Sequence, residues 1–483
     1  MTRRSLRSAA WLAAVALGVV CGPALALEGA EPANLGATLG LWTLAPFVAI
    51  LLAIAVLPVV ATHWWEHNRN KALVAAVCAV PIAVYLVAGH GHTGVEVLLE
   101  KSAEYASFIV LLGALFAITG GIHVKGSLSG TPLVNTAILA IGAVLASLIG
   151  TTGASVLLIR PLLRANEARR NKVHLVIFFI FIVSNCGGLL TPLGDPPLFL
   201  GFQKGVPFLW TLGLWKPWLF VNLALLVVFN VWDQRALAAE ELARPGSQLE
   251  EVQHHAPLRI EGGLNFVFLL GVVAVIFCSG QGVFSAGAPW PFGVQEVAMI
   301  ALSLAAWRTT PSRLRAANRF SWTPIVEVAV LFAGIFVCMA PALLILNAWG
   351  QGSREVLGAS FALHRPWEFY WSTGLLSSFL DNAPTYLTFG ATAAGMHGVP
   401  VEGPRYLGDL LATGAPAQAL MVAISCGAVM MGANTYIGNG PNFMVKAIAE
   451  ENGVVMRSFF GYMLYSACIL LPLFSLVTLI FFG

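Results

Sequence analysis

The chain has 483 residues, 58% of them hydrophobic and 10% charged, with 26 Lys and Arg against 23 Asp and Glu for a formal net charge of +3. A soluble domain carries about 25% charged residues; with a mean hydropathy of +0.80, this composition excludes one and predicts an all-α polytopic membrane protein. The small basic excess sits in loop arginines and reports topology, not a nucleic-acid partner, and the seven cysteines are scattered without metal or redox spacing.

At the N-terminus, Arg3, Arg4 and Arg7 precede an apolar stretch to Val20 and then Ala24-Leu25-Ala26. These are the parts of a secretory signal and predict cleavage after Ala26; a retained first helix is the alternative. About eleven stretches then approach the ~20 residues that cross a bilayer: 37–61, 72–89, 105–123, 132–149, 173–190, 209–232, 263–284, 292–307, 323–347, 418–432 and 458–482. Two more, 151–163 and 368–395, are apolar but interrupted, and we read them as re-entrant hairpins. The arginines and lysines at 164–172, 308–319 and 457 then share the cytoplasmic side, while Lys101, Lys204, Lys216, Arg354, Arg365 and Arg405 lie opposite. That asymmetry follows the positive-inside rule and predicts a bacterial-type inner membrane protein with both mature termini extracytoplasmic.

The chain divides into a first repeat at 27–232, with a hairpin at 132–165 and a broken helix at 173–204, a cytoplasmic linker at 233–262, and a second repeat at 263–483, with a hairpin at 366–396 and a broken helix at 417–451. In the first repeat SLIGTTGASVLL (147–158) precedes the break SNCGGLLTP (184–192); in the second SSFLDNAPTYLT (377–388) precedes the break ANTYIGNGP (433–441). Asn185 to Pro192 and Asn434 to Pro441 have the same spacing. Unwound backbone at membrane depth survives only inside protein or against a wet cavity, and matched breaks in two halves point to a transporter's midplane site. Broken ends free carbonyls and amides, and Asn, Thr, Ser and Asp add the oxygens that hard cations prefer.

On these four elements the chain resembles the ion transporter superfamily, which takes in divalent-anion/sodium symporters, citrate transporters and NhaD-type sodium/proton antiporters. The resemblance implies inverted repeats, a scaffold that forms a homodimer, and a mobile part carrying hairpins and broken helices by an elevator motion. It implies sodium between each hairpin tip and its neighbouring break: Thr151, Thr152, Asn185, Gly188 and Thr191 at one site, Asp381, Asn382, Thr385, Asn434 and Gly440 at the other, with Ser155, Thr435 and Asn439 as further ligands. A Ser-Asn-Thr signature, which the dicarboxylate carriers of the superfamily have at their tips, is missing here.

Asp195 and Asp381 are the acids placed in the breaks. Each could cap the half-helix that follows, Asp195 ahead of Pro196 above all. Read functionally, a carboxyl taken out of water favours its neutral form, so one group holds either a proton or a sodium ion, and the competition is antiport. The motifs L-G-D and L-D-N resemble the aspartate-bearing segments of NhaD-type antiporters. Sodium- or proton-coupled symport of citrate or a dicarboxylate is the alternative, with Arg160 the one cation near a tip. An intramembrane aspartyl protease is the remote one: Pro192 breaks its G-x-G-D pattern, and Pro341-Ala342-Leu343 lies between the aspartates instead of after both. The sequence therefore predicts no enzyme and no cofactor; sodium and protons are cargo, and lipid and small ions are the partners. Glu296, Glu327, Lys446 and the histidines that border spans read as solvated or paired groups.

Overall fold

The computed structural model describes residues 35–126, 129–243, 259–285, 290–356 and 361–483. The signal segment 1–26 and most of the linker, 244–258, lie outside the described residues. The remainder is mostly helical, and helices satisfy their own backbone hydrogen bonds in lipid. Eight helical segments among the described residues are long and apolar enough to cross a membrane.

The longer helices are α1 (Leu44–Val60), α2 (Asn68–Thr119), α3 (Pro132–Ile149), α4 (Thr151–Ala165), α5 (Val173–Ile182), α6 (Pro196–Gln203), α7 (Trp215–Ala243), α8 (Leu264–Gly280), α9 (Val294–Thr309) and α10 (Thr323–Gly350). They are followed by α11 (Pro366–Phe379), α12 (Asn382–Met396), α13 (Tyr406–Ala412), α14 (Ala415–Met431), α15 (Gly440–Glu451) and α16 (Phe459–Val477). Predicted spans 72–89 and 105–123 both fall in α2, whose 52 residues are divided by Gly91 at φ 53, a left-handed conformation that favours glycine. Spans 263–284 and 292–307 fall on α8 and α9, of 17 and 16 residues. Helices α2, α8, α9 and α10 pack together: Phe108 stacks on Phe332 at 4.9 Å, and Tyr105 Oη donates to Ala329 O at 2.8 Å.

Two hairpins stand out. Helix α3, which the sequence counts as a span of its own, turns at Gly150 (φ 85) into α4, and the arms run back to back, with Asn135 and Asn166 sharing two side-chain hydrogen bonds at 2.8 and 2.9 Å. The predicted segment 151–163 is thus one continuous helical arm, because a single glycine suffices for the turn. Helices α11 and α12 form the second hairpin through Leu380 and Asp381, and Glu368 accepts from the amides of His364 and Arg365 to fix where it begins.

Lys101 and Lys204, expected in extracytoplasmic loops, are buried. The helix of α2 runs on through residues 101–104, and Lys101 and Lys204 both pair with Glu104, at 2.8 and 2.5 Å; Lys204 also meets Glu100 at 2.6 Å. At the open end of the first hairpin, Asp233 is enclosed by Arg169 at 2.6 Å, His174 at 2.7 Å and Asn135 at 2.9 Å. The small sheet is one antiparallel pair, β1 (His123–Lys125) on β2 (Arg259–Glu261), with His123 opposite Glu261.

Candidate ion-binding site

Both broken helices unwind in the same way. After α5 the chain passes through a tight turn at Cys186–Leu190, becomes extended at Thr191 (φ −139, ψ 158) and again at Asp195 (φ −144, ψ 145), then enters α6 through two prolines. After α14 it turns at Gly432–Asn434, extends at Thr435 (φ −137, ψ 167) and Asn439 (φ −152, ψ 141), and enters α15. A Cβ on Gly194 would lie 2.0 Å from Gly188 O, and one on Gly438 2.5 Å from Gly432 O, so each break folds tightly on itself.

Carbonyls that lose helical partners must find others, and side chains supply them. Ser147 and Trp218 donate to Gly187 O, Thr211 to Leu190 O, and Asn222 to Cys186 O. In the second break, Ser378 donates to Met431 O, Tyr462 to Ala433 O, Ser466 to Asn434 O, and Asn442 to Gly432 O and Thr435 O. Thr191 donates to Ser147 O and receives Leu193 N; Thr435 donates to Ser378 O and receives Ile437 N.

These contacts fix a register that differs from the one read off the Asn-to-Pro spacing. T-P-L-G-D-P-P (191–197) corresponds to T-Y-I-G-N-G-P (435–441), and S-L-I-G-T (147–151) to S-F-L-D-N (378–382). Asn185 opens the turn Cys186–Leu190, six residues before its threonine, whereas Asn434 directly precedes Thr435, so the two asparagines are not equivalent. The shared feature is a threonine that ties a hairpin carbonyl to its own turn.

Five of the predicted ligands, Thr151, Ser155, Asn185, Asn382 and Asn439, drawn from both halves, gather at one crossing around Asp195. Asp195, 2% exposed, receives Thr151 Oγ1 at 2.8 Å and Asn439 Nδ2 at 3.1 Å on Oδ1, and Asn382 Nδ2 on Oδ2. Both hairpin tips and the second break thus converge on the first break's carboxylate. The tip backbone joins too, Thr151 N donating to Gly194 O at 2.8 Å. Asn185 donates to Asn442 Oδ1 at 2.7 Å and receives Asn439 at 3.2 Å, while Ser155 pairs with Ser184 at 2.9 Å. Gly188 lets the first tip close, since a Cβ there would lie 2.6 Å from Thr151 Cγ2.

The other predicted ligands play different parts. Asp381 caps α12, accepting from Ala383 N at 3.0 Å, and Thr385 donates to Asp381 O at 2.9 Å. Asp195, in contrast, makes no side-chain bond to its own half-helix. Asn434 donates to Ser378 Oγ at 2.9 Å. Among the described residues, the buried amide oxygens of Asn382 and Asn434 have no hydrogen-bond partner. Thr152 is half-buried outside the network, and Gly440 is exposed with open space around it. Pro341 lies in the middle of α10.

Sequence reasoning gave no site role to Ser147, Ser378, Asn442 or Trp218, the last read as part of an interface belt; the repeated T-x-x-G-x-x-P marks the two breaks, and Asn442 directly follows its second copy. Glu327 pairs with Lys71 at 2.6 Å, Glu296 receives Ser107 at 2.5 Å, and Lys446 pairs with Glu450 at 2.8 Å, each a paired group as its position suggests.

Apolar helices of spanning length around two broken helices, with a buried polar crossing between hairpin tips, define a polytopic membrane protein with the matched helix breaks at which transporters build their sites. The chain belongs to the family described as "Putative citrate transport", whose profile matches residues 36–482. It is also similar to an uncharacterized transporter of Synechocystis sp., with 24% identity over 322 residues. That similarity covers 62% of this chain and 66% of the relative, so the chain spans a little under two thirds of the relative's length.

Proposed function

We propose that this transporter exchanges sodium for protons across a bacterial-type inner membrane, with Asp195 the group for which the two ions compete. One observation carries the reading: a buried carboxylate held by three neutral donors, with no lysine, arginine or histidine among the described residues bonded to it. In a low dielectric such a group needs a cation or a proton. The unpartnered oxygens of Asn382 and Asn434, with Thr151, supply the hard ligands that sodium takes. A proton reaching Asp195 removes the charge that holds sodium; a sodium ion displaces the proton. Proton and metal thus use one site in turn, as the hairpins and broken helices move together against a dimeric scaffold of α2 and α8–α10, both termini facing away from the cytoplasm.

The test is sodium-induced alkalinisation of acid-loaded everted vesicles without organic anion, run with sodium, lithium and potassium. The reading fails if the wild-type chain gives no signal with any of them. Symport of citrate or a dicarboxylate is the second reading, favoured by the family's description and by amide-bearing tips beside half-helix N-termini, an arrangement that suits carboxylates. Citrate-driven sodium uptake in the same vesicles would decide for it.

A further inference from the structure

The shared register gives Asp195 a counterpart in the second break. Asn439 has the same extended backbone, opens the matching half-helix and is equally buried, at 3% exposure, yet it carries an amide. Its Nδ2 reaches Asp195 Oδ1 at 3.1 Å, Ser184 O at 3.1 Å and Asn185 Oδ1 at 3.2 Å. The hairpin tips show the same asymmetry: the register sets Asp381 against Gly150, which has no side chain. Asp381 instead caps its own helix, accepting from Ala383 N at the start of α12, and bonds to neither break. Four equivalent positions, two in each half, therefore leave one carboxylate free to alternate between ions. Asp381 is the titratable group that acts on this carboxylate electrostatically, and Asp195 acts in turn on the buried thiol of Cys186.

We infer that Asn439 holds the crossing to a single exchanging carboxylate, so that one sodium ion is traded for one proton and no net charge crosses the membrane. The inference rests on the exchange reading above. A carboxylate with sodium and a carboxyl with a proton carry the same charge; as the proton adds to a carboxylate oxygen the sodium leaves, and no electrons move. A second carboxylate at 439 would let the two loaded forms differ by a charge, and the exchange would respond to voltage.

The experiment uses the full chain in proteoliposomes, with radiolabelled sodium uptake and proton release followed together, and the potential set by potassium and valinomycin. The expected result is one proton per sodium and a final sodium gradient unchanged by voltage. A ratio of two protons per sodium would overturn the inference, as would a gradient that shifts by about 50-fold for about 100 mV, the effect of one translocated charge. Asn439→Asp is expected to introduce that voltage dependence, and an active Asn439→Asp that ignores voltage also overturns it. If the variant does not fold, the wild-type ratio and voltage response decide alone. Sodium uptake with no proton movement would instead remove the exchange reading beneath it.

Discussion

Asp195 and Asp381 both stand one residue ahead of a helix, and the fold uses them in opposite ways. Sequence spacing alone makes Asp195 the better cap, because a proline follows; yet its side chain turns away to meet three donors, while Asp381 takes the capping bond. That division is not legible in the sequence, since it depends on partners 44, 187 and 244 positions away. Asp195→Asn is expected to reduce exchange to the background of empty vesicles, because an amide keeps the shape but holds neither proton nor charge. Asp381→Asn should retain measurable exchange, and its thermal stability should change by only a few tenths of a kcal/mol, Asn being about as good a cap as Asp. The glycines are equally unequal. Gly188→Ala meets a threonine methyl that can shift, and overpacking of about 1–3 kcal/mol is expected. Gly194→Ala meets a backbone carbonyl at 2.0 Å and should lower the melting temperature in detergent further than Gly188→Ala does.

At the scale of elements, the breaks were readable because prolines and glycines in an apolar run have few other uses; their true register was not. Asn185 and Asn434 match by letter, but the carbonyls of Ser147 and Ser378, bound by Thr191 and Thr435, set which residues correspond. Helix α2 shows the opposite error. Its polar stretch around Lys101 reads as a loop, and the helix continues because Glu104 and Glu100 together neutralise Lys101 and Lys204 in place. Lys204, at the end of α6, also ties the first break to α2. Glu104 is the acid that Lys101 and Lys204 share, and removing it leaves buried charge, so Glu104→Gln should destabilise by about 3 kcal/mol or more, and the double variant with Lys101→Met should recover part of the loss. Thermal melting in detergent measures both, and additive losses would show that the pair is not coupled.

For the whole molecule, the composition and hydropathy pattern made the polytopic helical class plain, and loop charges gave an orientation. With native cysteines replaced, Arg170→Cys should react with a membrane-impermeant maleimide only from the cytoplasmic side, and Arg405→Cys only from the other. Reaction of both from one face would refute the opposed hairpins. No sequence pattern announced the pairing of β1 with β2, since three residues on each strand are too few to show a period. Yet it fastens the chain just after α2 to the chain just before α8, and Arg164 donates to Val124 O at 2.5 Å from the base of the first hairpin. This clasp makes peptide-bond continuity between residues 243 and 259 dispensable: two fragments ending and beginning there, produced in the same cell, are expected to find each other and co-purify.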